Sequence, residues 1–271
     1  MQRRDFIVGL GGAAAWPMVA RAQRSAARVI GYLSSASFEP SRDIVAALHR
    51  GLADSGYFEG RDVAVEYRWA DNHNDRLPTF ALELVRRPVA VIIAPGSTPA
   101  AFAAKAVTST IPIVFFAAAD PVAIGLVASL ARPGGNVTGI SNFGARLIAK
   151  RLEILYKLVR TANSIAVLVN PDNAPVTEAV LSEGQAAARA LGLNVLILNA
   201  RRSNEIEGAF ETLVRQGASA ILVGADSLFN THVEQLVALA AKYSIPASFE
   251  TRAFPSTRYL HWPNSQRRAA R

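Results

Sequence analysis

Short apolar runs alternate with longer amphipathic segments along most of the chain. Nearly continuous runs rich in Val and Ile occupy residues 28–33, 89–94, 111–116, 165–169, 193–198 and 219–223. Strands covered on both faces of a parallel sheet read this way, because neither face needs a polar row. Residues 62–69 alternate instead (Val63, Val65, Tyr67, Trp69), which predicts a further, half-exposed strand. Between the runs, apolar residues fall at helical spacing: Ile44, Val45, Leu48 and Leu52; Leu147, Ile148, Leu152, Leu155, Leu158 and Val159; Leu236, Val237 and Ala240. Repeated β-α-β units with right-handed crossovers predict a doubly wound α/β architecture.

The pattern occurs twice, over residues 28–138 and 162–250. Between the two sets lie Arg132-Pro133-Gly134-Gly135-Asn136 and a short apolar strand at residues 137–142. Glycines there suit a lobe boundary. Two lobes are therefore expected in preference to one large sheet, an N-terminal lobe at 23–139 and a C-terminal lobe at 140–249.

The ends differ from this body. Met1-Gln2-Arg3-Arg4-Asp5-Phe6 is followed by an uncharged stretch, residues 7–20, and then by Ala20-Arg21-Ala22. A basic start, an apolar stretch and an Ala-x-Ala site predict an export signal over residues 1–22, cut after Ala22. Arg3-Arg4-x-Phe6-Ile7 resembles the twin-arginine signal, with the general secretory route still open. Gly9-Leu10-Gly11-Gly12-Ala13-Ala14 matches a dinucleotide-binding fingerprint in letters only, since no strand precedes it. At the other end, residues 255–271 hold two prolines, four arginines and no acid.

Composition changes the picture only once these ends are set aside. The 271 residues are 51% hydrophobic and 18% charged, which suits a packed core. The formal charge of +8 would suggest nucleic acid. Residues 1–22 carry +2 of it and residues 255–271 carry +4, so the body holds +2. No nucleic-acid partner is expected. Cysteine is absent, which excludes disulfides, cysteine nucleophiles, thiolate metal sites and an N-terminal lipid anchor on cysteine. A monomer released into the periplasm is the expectation.

In open α/β sheets, ligands bind beyond the carboxyl ends of the strands. Those loops read Ser34-Ser35-Ala36-Ser37, Pro95-Gly96-Ser97-Thr98-Pro99, Ala119-Asp120-Pro121, Asn170-Pro171-Asp172-Asn173 and Gly224-Ala225-Asp226-Ser227. Thr98-Pro99 and Asp120-Pro121 predict N-caps with proline at the first helical position. Free amides at helix N-termini hold carboxylates, although any one such loop is more often an ordinary cap. Lys and Arg are scarce in these loops apart from Arg201-Arg202, which disfavours polyphosphates and favours a small zwitterion or neutral solute. Asp120, Asp226 and Glu250 are candidates to meet an ammonium group. Tyr32, Phe38, Phe143 and Phe229 lie beside the loops and either cover an apolar side chain or simply pack.

Catalytic patterns are missing: no Gly-x-Ser-x-Gly elbow, no Walker loop and no His-Glu-x-x-His pair occurs, and His49, His73, His232 and His261 stand apart. No metal or cofactor is expected. An exported hydrolase-like α/β enzyme using acids and hydroxyls in a cleft is the alternative.

Taken in order, Ile30-Gly31-Tyr32-Leu33-Ser34, Pro95-Gly96-Ser97-Thr98-Pro99-Ala100, Ile111-Pro112-Ile113-Val114-Phe115, Asp120-Pro121-Val122, Gly135-Asn136-Val137-Thr138-Gly139, Lys150-Arg151-Leu152-Glu153 and Glu250-x-Arg252-x-Phe254 resemble the periplasmic substrate-binding proteins of ABC transporters. The likeness is greatest to the branch with tryptophan- and aromatic amino-acid-binding members and covers residues 28–254. It implies a type I two-lobed fold, a hinge, no catalysis, a small amino-acid-like or carboxylate solute, and a membrane permease as partner. It places the solute between the lobes near Ser34, Ser35, Ser97, Thr98, Asp120, Ser141, Asn142, Asn170, Asp226 and Glu250. After Phe254 the sequence leaves the family's pattern. Residues 250–271 are then a hinge return and an atypical basic tail, the mark of a truncated or frameshifted copy, which would be non-functional if the missing part is essential.

Overall fold

The computed structural model describes residues 27–159, 162–250 and 260–261. The expected export signal, and the basic tail apart from Leu260–His261, lie outside the described residues.

Two five-stranded sheets form. In the first, β1 (Arg28–Ser34), β2 (Val63–Trp69), β3 (Val89–Ala94), β4 (Ile113–Ala117) and β5 (Val137–Ser141) are all parallel, in the order β2-β1-β3-β4-β5. The second holds β6 (Ser164–Val169), β7 (Asn194–Asn199), β8 (Ile221–Val223), β9 (Ala247–Ser248) and β10 (Leu260–His261) in the order β10-β9-β8-β6-β7. Read from the far edge, this is the first sheet's order again. Only β10 runs antiparallel. Two sheets, rather than one large one, thus follow from a duplicated strand pattern.

Helices connect the strands: α1 (Arg42–Asp54), α2 (Leu77–Val85) and α3 (Thr98–Val107) in the first half, α4 (Ile148–Leu158), α5 (Ala174–Leu191), α6 (Ile206–Arg215), α7 (Ser227–Thr231) and α8 (Val233–Lys242) in the second. The continuous apolar runs are explained by β6 and β8. Ala166, Leu168, Ile221 and Val223 face a core with Phe210 and Leu236, whereas Ile165, Val167, Val169 and Leu222 face another with Leu152 and Val180. Each strand is buried on both sides, so alternation vanishes. The alternating segment becomes β2, an edge strand half-buried along most of its length. There Tyr67 and Trp69 stack 5.8 Å apart, with Tyr32 of β1 packed 4.8 Å from Trp69.

Some boundaries move. The run at 111–116 starts pairing only at Ile113, while Asn136 Nδ2 donates to the carbonyl of Ile111. The run at 219–223 becomes a strand at Ile221. Asp120-Pro121 opens no helix. Its carboxylate does accept from the amides of Val122 and Ala123, but Gly125 takes φ +73° and ends the coil after one turn.

β5 ends at Ser141, and the chain then enters a 3₁₀ turn (Gly144–Leu147) that leads into α4. The two halves also touch elsewhere. Ala119, just past β4, is fully buried in the core that α4 and α5 build on the second sheet. Asn74 Nδ2 donates to the carbonyl of Asp172 at 3.2 Å, and Arg202 donates to His73 Nδ1 at 3.3 Å.

Candidate functional site

Both sheets reverse direction of winding between their first and third strands, and that switch point is where a doubly wound sheet opens a crevice. The loops after β1 and β3 meet there in the first sheet: Ser35 Oγ and Ser97 Oγ are 2.6 Å apart, and the Ser35 amide donates to Ser97 Oγ at 3.3 Å. The loops after β6 and β8 meet at the same place in the second sheet. There Asn170 Nδ2 donates to Asp226 Oδ1 at 3.0 Å. Hydroxyls fill one switch point, and amides with a carboxylate fill the other.

Ser97, not Thr98, is the N-cap of α3; its Oγ accepts from the Ala100 amide, which puts Thr98 first and Pro99 second in the helix. The predicted cap is thus displaced by one residue, because Ser97 carries the extended backbone a cap requires. Pro99 has no N–H and the Ala101 amide bonds to Ser97 O. Thr98 thus holds the first amide of α3. Asp226 caps α7 in the same manner through the Leu228 amide, 2.9 Å away.

A narrow cleft, with about 40 Å³ of space accessible to water, runs between the halves. Gly96, Thr98, Phe116, Ala118 and Asn142 line it from the first half, and Asn173, Val176, Ala225, Asp226, Ser227, Asn230 and Glu250 from the second. Of the ten residues singled out by sequence, Thr98, Asn142, Asp226 and Glu250 reach this lining. Ser34, Ser35, Ser97, Ser141, Asn170 and Asp120 do not. Ser34 Oγ accepts from the Ala36 amide; Ser141 Oγ donates to Ala119 O and accepts from the Phe143 amide. Asp120 pairs with Arg146. These six shape the loops behind the surface.

Electrostatically the lining is acidic, with two carboxylates and neither Lys nor Arg. Asp226 is buried, which pushes its carboxyl above the usual aspartate range; the Asn170, Asn173 and Leu228 donors pull the other way. Burial likewise raises Glu250, opposed by hydrogen bonds from Asn230 and Asn142 at 3.3 Å each and by the charge of Arg151. Arg151 lies beneath: Nε donates to Ser248 Oγ at 3.1 Å, and Nη2 donates to the carbonyls of Val223 and Ser248 at 2.7 Å each. A second, apolar hollow lined by Leu147, Ile154 and Phe249 adjoins this arginine. Among the aromatic candidates Tyr32 and Phe229 are core residues, and Phe38 stands 44% exposed beside Trp69. The ring that reaches the cleft is Phe116, 41% exposed.

Asn173, Asn230, Phe116 and Arg151 escape the sequence argument as site residues. Asn173 stands in one of the strand-end loops named from the sequence, so its type was visible. Its role was not, because its partner Asp226 is 53 residues away.

Among the described residues no group of three His, Cys, Asp or Glu side chains is placed to hold a metal ion, and no histidine lines the cleft. No helix among them is long and apolar enough to cross a membrane.

The sequence model of a family described as ABC transporter substrate binding protein matches residues 32–254. A curated relative, the Tyrosine-binding protein of Clostridioides difficile (strain R20291), is 38% identical over 121 residues, 45% of this chain and 34% of that protein. The match thus spans about a third of the relative's length. A solved ABC domain from Streptococcus pneumonia in complex with L-Trp is 24% identical at TM-score 0.70, covering 84% of this chain and 75% of its own. A conserved domain protein from Vibrio cholerae O1 biovar El Tor is 23% identical at TM-score 0.73, with the same coverage. At such identity these two structures bear on the fold, which is the two-lobed, periplasmic-binding-protein-like type I fold.

Proposed function

Because the chain belongs to the ABC transporter substrate-binding protein family, we propose that it captures a small amino-acid-like or carboxylate solute between its two lobes and hands it to a membrane permease. The observation that carries the reading is the cleft itself, lined from both halves by small, amide and acidic side chains around one exposed aromatic ring. A hydroxyl and amide at Thr98 suit a carboxylate. Glu250 with Asn142 and Asn230 suits an ammonium group. Phe116, Ala118 and Val176 suit an apolar body, and the similarity to a Tyrosine-binding protein favours an aromatic one.

Release of the solute requires the lobes to part, and the lobes are joined by bonds that can break one at a time. Asn74 to Asp172 and Arg202 to His73 are single hydrogen bonds between loops. The segment from Asn142 to Leu147 is the crossing that would flex. A ligand touching both halves favours the closed form by its differential contacts, and closure marks the loaded protein for the permease. Residues 1–22 would direct the chain across the membrane and be removed after Ala22, leaving a periplasmic monomer.

The family match is to substrate-binding proteins and no histidine lines the cleft, so the binding reading is preferred to the hydrolase alternative.

Thermal unfolding in the presence of an amino-acid and aromatic-acid panel tests the proposal. A solute that binds only the folded state adds about 2.7 kcal/mol at a hundredfold excess over its dissociation constant. A rise in Tm with one chemical class is expected; a panel that shifts nothing overturns the reading.

A further inference from the structure

Asn173 lines the cleft, is only 5% exposed, and has one half of its amide satisfied. Its Nδ2 donates to Asp226 Oδ2 at 2.7 Å, while its Oδ1 is buried and accepts no hydrogen bond from the protein. An ionised Asp226 sets this orientation. Asp226 Oδ1 already accepts from Asn170 Nδ2 and the Leu228 amide, so Oδ2 is the oxygen left for Asn173. An ionised carboxylate only accepts. With Asp226 ionised, the amide therefore turns its nitrogen to Asp226 and keeps its oxygen unpaired. Glu250, in the same lining, is a second acceptor.

We propose that the Asn173 oxygen and Glu250 together receive the ammonium of the ligand, and that Asp226 is a positioning residue that selects for this group by fixing the Asn173 amide. The inference rests on the solute-binding reading and narrows it: the solute carries a free ammonium, and a carboxylate without one is rejected. An α-amino acid bears both groups on one carbon, so its carboxylate remains for Thr98 at the start of α3. Asp226 enters this account through its hydrogen bond to Asn173, and both of its oxygens accept from protein donors.

Asp226→Asn gives a directional test. The new side chain keeps an oxygen for Asn170 and Leu228 but places an NH₂ where Oδ2 stood. Asn173 must then flip, and it offers a donor to the cleft. Calorimetric titration of the full chain would use L-tyrosine, L-tryptophan and L-phenylalanine beside their deaminated counterparts, 3-(4-hydroxyphenyl)propionate, indole-3-propionate and 3-phenylpropionate. The wild type is expected to prefer the amino acid by about tenfold or more, a difference of about 1.4 kcal/mol. In Asp226→Asn that preference falls by a similar factor or inverts. Asn173→Ala, which removes the acceptor and leaves Asp226 its other donors, weakens the amino acid and spares the deaminated partner; it carries the test alone if Asp226→Asn does not fold. Equal weakening of both ligand types in the variants would show a merely structural role and overturn the inference, as would equal binding of both types by the wild type. A wild type that binds none of the six probes overturns instead the reading on which the inference rests.

Discussion

Gly144 and Glu250 occupy one another's space: a Cβ placed on Gly144 would collide with Oε1 of Glu250 and stand 2.9 Å from its Cδ. Backbone strain has no part in this, because Gly144 is not among the glycines with positive φ. The glycine is there for the carboxylate, which it lets settle between Asn142 and Asn230.

Gly144→Ala is therefore expected to push the Glu250 carboxylate out of its two hydrogen bonds. The end of a flexible side chain gives way easily, so the melting temperature should move little. Solute affinity should fall by about tenfold, or 1.4 kcal/mol, as read by titration calorimetry. A large loss of stability with unchanged affinity would assign Gly144 to packing alone.

Arg151 ties α4 to β8 and β9 through Val223 O, Ser248 O and Ser248 Oγ. Burial lowers its pKa to about 10, and the charge of Glu250 opposes that shift. Arg151→Met keeps the length of the side chain and removes every donor. Two buried carbonyls then lose their partner, which predicts a cost of about 2–4 kcal/mol in urea unfolding. A loss below about 1 kcal/mol would mean that these bonds are replaced by water.

Burial raises the carboxyls of Asp226 and Glu250 above the values they have in the unfolded chain. The folded protein therefore binds these protons more tightly, and the stability contributed by each group is present at low pH. It is lost as pH rises from the ordinary carboxylate range through the raised value. Asp226→Asn cannot titrate. Across urea unfolding series at increasing pH, the wild type should lose stability relative to this variant through that window and then run parallel to it. A constant difference at all pH values would contradict the raised pKa.

The sheets were legible because burial on both faces leaves a mark that a single residue cannot blur. Val89–Ala94 matches its predicted run residue for residue, and the duplicated pattern became two sheets of one strand order. β9 and β10 left no such mark, since two residues carry no periodicity. Helix starts were off by one where two hydroxyls stood together, at Ser97 and Thr98, because the choice between them lies in the backbone of Ser97. The site was legible in kind more than in place. Small hydroxyls and amides at strand ends marked the crevice, yet the pairings that give them direction join residues 53, 56 and 108 positions apart. Gly144 and Arg151 act on Glu250 only through such distant contacts.

The central claim is that the cleft between the lobes holds a solute through side chains of both. Calorimetric titration with the common L-amino acids, repeated on Thr98→Ala from one lobe and Glu250→Gln from the other, tests it most directly. The account predicts a saturable one-to-one heat for at least one of them, weakened about tenfold in each variant. Absence of heat from every solute, or affinity untouched by both substitutions, would contradict it.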